Sequence, residues 1–109
     1  MNKNDFKKIK DTVIKVNVPE WNLDVHIKEI SLADRIKLFT FVDENKASLN
    51  LSAMILIYSL SDSEGNRIFE ESDCDILSSK SAKVLDRLAN ESGKLNCMLG
   101  NAIDDAKKN

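Results

Sequence analysis

The chain has 109 residues, 42% hydrophobic and 31% charged, with a formal net charge of −2 at neutral pH. That length allows one domain with one modest core, and the balance of apolar to charged residues excludes a disordered chain. A slightly acidic protein has no general attraction for phosphate backbones, which sets nucleic-acid binding aside. The charge is uneven along the chain. Residues 1–11 form a basic N-terminal segment with Lys3, Lys7, Lys8 and Lys10 against Asp5 and Asp11, whereas residues 62–75 carry six acids against Arg67.

The first predicted elements are strands. In "TVIKVNV", Ile14, Val16 and Val18 alternate with polar residues, and in "LDVHIKEI" so do Leu23, Val25 and Ile27. A period of two is the mark of a strand with one buried face. "PEWN" joins the two runs, and Pro19 cannot donate to a ladder, so residues 12–30 read as a β-hairpin with that apolar set on one face. His26 then falls on the polar face between Asp24 and Lys28, as a surface residue. Trp21 sits at the turn, where folding back as a lid over the apolar face buries more area than standing exposed.

Ser31 in "SLAD" opens a helix as its N-cap. Leu32, Ile36, Phe39 and Val42 give that helix an apolar stripe to about Asp43, and "ENK" breaks it. Leu49 to Leu60 is apolar on every side, so the second helix is expected to be the central, most buried element; its length without Gly or Pro favours helix over strand for "MILIY". "SDSEGNRIF" reads as a polar turn with Gly65 and Asn66 at positive φ, then a short extended piece. A calcium loop fails there, because aligning Gly65 to the invariant glycine puts Leu60 and Ile68 at ligand positions. Ser72 is the expected cap of a short helix "DCDILSSK". Ser81 is the expected cap of the last helix, with Val84, Leu85, Leu88, Leu95, Leu99 and Ile103 near helical spacing; Gly93 and Gly100 interrupt it, so that it breaks or frays beyond about Asn96. Residues 97–109 are a polar, frayed tail. The fold class is therefore α+β and predominantly helical: a hairpin, a helical core over residues 31–96 with four to five helices, and one domain throughout.

No constellation nominates an enzyme. One His on a polar strand face, adjacent Asp104 and Asp105 and only three glycines give no triad, no convergent carboxylates and no phosphate loop. Cys74 and Cys97 lack metal-ligand spacing, so neither metal nor cofactor is expected. The longest apolar-rich stretch, "LSAMILIYSL", is far short of a membrane span, and the N-terminus carries no secretory signal. An intracellular protein with free thiols is the expectation.

"VPEWNLDVHIKEIS" followed by "ADRIKLF", then "LIYSLSDSEGNRIFEESDCDILSSKSAKVLDRL" ending in "LN", resembles the tail assembly chaperone family of long-tailed, lambda-like bacteriophages and prophages. The resemblance runs from Val13 to Asn96. It departs from the family's usual pattern at "WNLD", in place of a glycine-containing turn, and at Lys28, where Arg is frequent. It implies a non-catalytic protein of the host cytoplasm, absent from the virion, that keeps the tape measure protein soluble while the major tail protein polymerises around it. It further implies self-association into a ring or spiral and a longer frameshifted form that contacts the major tail protein, for which Lys107 and Lys108 are a compatible slip site. Candidate partner-binding residues are the aromatics Trp21 and Phe69, the basic Lys7, Lys8 and Lys10, and the acidic Glu70, Glu71 and Asp73, with the basic segment of one subunit meeting residues 62–75 of the next. A structural virion component such as a head–tail joining protein is the alternative.

Overall fold

A computed structural model of the protein describes residues 1–44 and 50–98. The expectations placed on "ENK", Leu49, Leu99, Gly100, Ile103, Asp104, Asp105, Lys107 and Lys108 lie wholly or partly outside the described residues.

The hairpin forms as the alternation requires. Strand β1 (Val13–Val18) pairs antiparallel with β2 (Leu23–Lys28), placing Ile14 opposite Ile27, Val16 opposite Val25 and Val18 opposite Leu23. These six share one face, and Val18 and Ile27 are fully buried beneath the helices. The connection is tighter than a plain four-residue loop. Pro19–Trp21 make one 3-10 turn, and Asn22 takes the left-handed conformation (φ 51°) that reverses the chain, the role the family's more usual glycine would fill. Trp21 does fold back, half-buried against the core.

Helix α2 (Leu32–Glu44) starts where Ser31 accepts the Asp34 N–H at 3.1 Å. Its buried face differs from the expected stripe, of which only Val42 packs on the core. Leu38 is the fully buried side chain, with Phe41 and Val42 packed beside it, whereas Leu32, Ile36 and Phe39 are 66%, 59% and 56% exposed. Two apolar stripes share this helix, and the one formed by Leu38 with Phe41 and Val42, at i+3 and i+4, faces the core. Helix α3 (Leu51–Ser59) is the central element: Ala53 to Ser59 are all buried, and Asn50 caps it through the Ala53 N–H. It ends earlier than expected because Leu60 and Ser61 form a short third strand, β3, opposite Ile27 and His26. That strand covers part of β2's outer edge and leaves His26 half-buried rather than on an open surface.

The turn after β3 is organised by Asp62, whose carboxylate accepts the Glu64 and Asn66 N–H groups at 2.9 and 3.0 Å and the Asn66 amide at 3.1 Å. The Asn66 bonds hold this carboxyl below the usual aspartate range. Gly65 alone takes positive φ (89°) here; Asn66 does not. A Cβ on Gly65 would lie 3.2 Å from Val13 Cγ2, so Gly65→Ala meets both backbone strain and a crowded neighbour. The expected cost is about 1–2 kcal/mol, read as a shift in the urea midpoint; no shift would mean the turn relaxes freely.

The backbone then turns through a 3-10 segment (Glu71–Asp73) into α4 (Cys74–Ser78). Ser72 is not the cap. Asp73 instead accepts the Glu70 N–H at 2.8 Å across that turn. Helix α5 (Ala82–Leu95) begins after Ser81, with Val84, Leu85, Leu88 and Ala89 packed on the core, and ends at Asn96 as expected. The first helix, α1 (Lys3–Lys8), lies in the segment read only as basic. Asn2 and Asp5 close its start with reciprocal backbone bonds at 2.9 and 3.0 Å, and none of its residues is buried.

Candidate functional site

Two side-chain clusters tie the strands to the helices and shape the surface between them. At the hairpin turn, the Arg87 guanidinium of α5 grips the Glu20 carboxylate at 2.7 and 2.8 Å, a two-pronged pair that anchors the corner. Arg87 holds the Glu20 carboxyl at about 2, below its ordinary 4.5. Because the folded-state value is the lower one, the contribution of this pair is complete above pH 4.5 and is lost as pH falls towards 2. The melting-temperature gap between wild type and Arg87→Gln is therefore expected to narrow over that interval. A gap independent of pH would assign Arg87 a packing role instead.

The second cluster surrounds Tyr58 on α3. Its hydroxyl donates to the Glu71 carboxylate, and the Arg67 guanidinium stacks 4.3 Å from its ring centroid. Burial and then the Glu71 carboxylate push the Tyr58 phenol above its usual range. Arg67 also donates to the carbonyls of Ile57 (3.3 Å) and Phe69 (3.2 Å) and lies 4.0 Å from Asp34. One guanidinium thus fixes the strand-like segment 67–69 against the end of α3, and through it the position of Phe69.

Between the two clusters lies an apolar groove of about 480 Å³, walled by Trp21, Leu23, Val25, Ile68, Phe69 and Ile76. Trp21 and Phe69, the aromatics singled out from the sequence, meet here as half-buried walls rather than as exposed anchors. The groove exists because the outer edge of β2 is covered unevenly. Asn96 accepts the Ile30 N–H at 2.6 Å and donates to the Lys28 carbonyl at 3.4 Å, and Ser61 pairs with His26. Among the described residues no strand lies beyond, at Leu23–Val25. Sequence reasoning missed Asn96, since an isolated Asn 66 residues away gives no sign that its amide will cap a strand edge.

The charged candidates do not share one fate. Lys7 and Lys8 close the last turn of α1, and Lys10 follows it, lining a second cleft with Glu64 of the same chain. Of the acids, Glu71 is bound to Tyr58 and Asp73 to the Glu70 backbone, so part of the acidic run has structural partners. The Leu32, Ile36 and Phe39 stripe of α2 stands apart from both charged regions. Among the described residues, no group of three or more His, Cys, Asp or Glu could hold a metal ion, and no helix is long and apolar enough to cross a membrane.

This architecture has known counterparts. No match is found among curated proteins. A solved structure of the bacteriophage HK97 tail assembly chaperone superposes with a TM-score of 0.61 at 19% sequence identity, covering 84% of this chain and 90% of that one, which is a likeness of fold. A protein-family model for phage tail assembly chaperones matches residues 7–109. The capped hairpin corner, the buried α3 and the Asp62 turn are thus features of a member of the phage tail assembly chaperone family.

Proposed function

We propose that this protein acts without catalysis, holding the tape measure protein soluble in the host cytoplasm while the tail tube assembles, and is absent from the finished virion. The observation that carries this reading is the α2 stripe: Leu32, Ile36 and Phe39 project from a helix whose opposite face is already packed. A holdase needs shallow apolar contacts that repeat along an extended client, and one helix face per subunit, multiplied by self-association into a ring or spiral, supplies them through effective concentration. A longer form made by frameshifting near Lys107 and Lys108 would carry the contact to the major tail protein; a codon sequence without a slippery adenine run there removes that element.

The test is co-expression with the tape measure protein encoded in the same gene cluster, assaying client solubility and co-purification. A client that becomes soluble and elutes with this protein supports the holdase reading. A client that stays insoluble beside well-folded protein overturns it and favours a structural virion component, which would be found in purified particles.

A further inference from the structure

Helix α1 has no structural reason to exist in an isolated subunit. Six residues are far too few for a stable free helix, and none of them is buried. Yet its start is closed by a capping box, and Phe6 and Ile9, three residues apart on one side, are 65% and 56% exposed. The same fold leaves an open apolar groove whose rim residues Leu23, Ile68 and Ile76 are 46%, 55% and 53% exposed. An unpacked apolar arm and an unfilled apolar groove on one molecule are complementary surfaces.

We infer that the α1 arm of one subunit docks into the β2–α4 groove of a second copy, with Phe6 and Ile9 against Trp21, Phe69 and Ile76. This rests on the reading above that the protein self-associates, and it names the interface. Charge favours the pairing. Residues 1–11 carry Lys3, Lys7, Lys8 and Lys10 against Asp5 and Asp11; the groove lining itself holds Asp24 and Lys80, but its walls Ile68 and Phe69 belong to the run 62–75, which has six acids against Arg67. The arm does not occupy its own groove, since none of its residues is buried and Phe6 and Ile9 stand exposed, and its own groove is at the limit of its reach. The linker 9–12 spans about 13 Å at full extension. The groove opens on the edge of β2 away from β1, at the level of Val16–Val18, a further 10–16 Å or so along the strand from where the arm enters. Such a contact is head-to-tail: each subunit offers one arm and one groove, so it propagates into a ring if the rotation closes and a spiral if it does not.

The test uses the purified full chain, with no client present, in sedimentation velocity over a range of concentrations. An arm variant (Phe6→Ser with Ile9→Ser) and a groove variant (Ile68→Ser with Ile76→Ser) change only side chains more than half exposed, and circular dichroism checks that both fold. Wild type is expected to associate, and each variant to associate at least ten-fold more weakly. An equimolar mixture of the two variants restores one good contact, arm of the groove variant into groove of the arm variant, and so is expected to stop at a dimer. Raised salt should weaken wild-type assembly without abolishing it, because the lysine contacts are screened and the apolar ones are not. A monomeric wild type (the result expected if the arm folds onto its own groove), variants that associate as wild type does, or a mixture that stays monomeric would each overturn the proposal. Client solubilisation is read separately with substitutions on the α2 stripe, so failure of this interface and failure of the holdase reading are distinguished.

Discussion

Leu56→Ala is expected to lower unfolding free energy by about 2–5 kcal/mol, a large share of the roughly 5–15 kcal/mol that holds a domain of this size. Leu56 lies in the middle of α3 and is fully buried, as are Ala53 and Ile57, and α2, α5 and the hairpin's apolar face close around this helix. Removing three carbons there loses their transfer free energy. It also opens a space that three separate elements would have to move together to fill, which places the cost towards the upper half of the range. Urea denaturation of wild type and variant, with unchanged m values, reads the difference as a shift in midpoint. A loss under about 1 kcal/mol would mean that the elements around α3 can collapse independently, and that this helix is not the hub of the core.

How much of this was legible in the sequence depended on whether the signal was local. The hairpin's buried face followed from alternation, since a one-residue slip would turn Ile14, Val16 and Val18 or Leu23, Val25 and Ile27 outward; the pairing of Ile14 with Ile27 was set by the length of the turn. The Ser31 cap and the buried α3 were equally plain, the first from capping chemistry and the second from an apolar run without Gly or Pro. What escaped was decided at long range. Helix α2 holds one apolar row at 32, 36, 39 and 42, of which only Val42 packs on the core, and another at 38 and 41. Spacing alone ranks the first as the core face; only the placement of α3 selects the second. Strand β3 was invisible because two residues at the end of a helix carry no periodicity, and the Asn96 bonds to Lys28 and Ile30 span the length of the helical core. Glu71 looked like part of a solvated acidic run until the fold brought the Tyr58 hydroxyl to it. The aromatic pair of the candidate site was legible as residues but not as a site, because Trp21 and Phe69 become neighbours only once Arg67 pins segment 67–69.

Leu32, Ile36 and Phe39 stand exposed on α2, where substitution leaves the core untouched. Ile36→Lys combined with Phe39→Glu is expected to leave folding stability within about 0.5 kcal/mol of wild type, because substitutions on exposed helix surfaces create no cavity and both replacements are good helix formers. The pair adds one charge of each sign, so the net charge of the protein is unchanged. The same double substitution is expected to abolish client solubilisation. If Ile36 and Phe39 become covered on binding, each contributes about 1.5–3 kcal/mol, roughly 10- to 100-fold in Kd apiece, before any charge is forced against an apolar client. Repetition of the contact around an assembly compounds the loss. Comparison with Leu56→Ala separates the two uses of apolar side chains in this chain: the core variant should unfold early yet still bind client while folded, and the stripe variant should melt with wild type yet leave the client in the pellet. If the stripe variant solubilises the client as well as wild type does, the client lies on another surface, and the exposed row on α2 has no part in the holdase function proposed here.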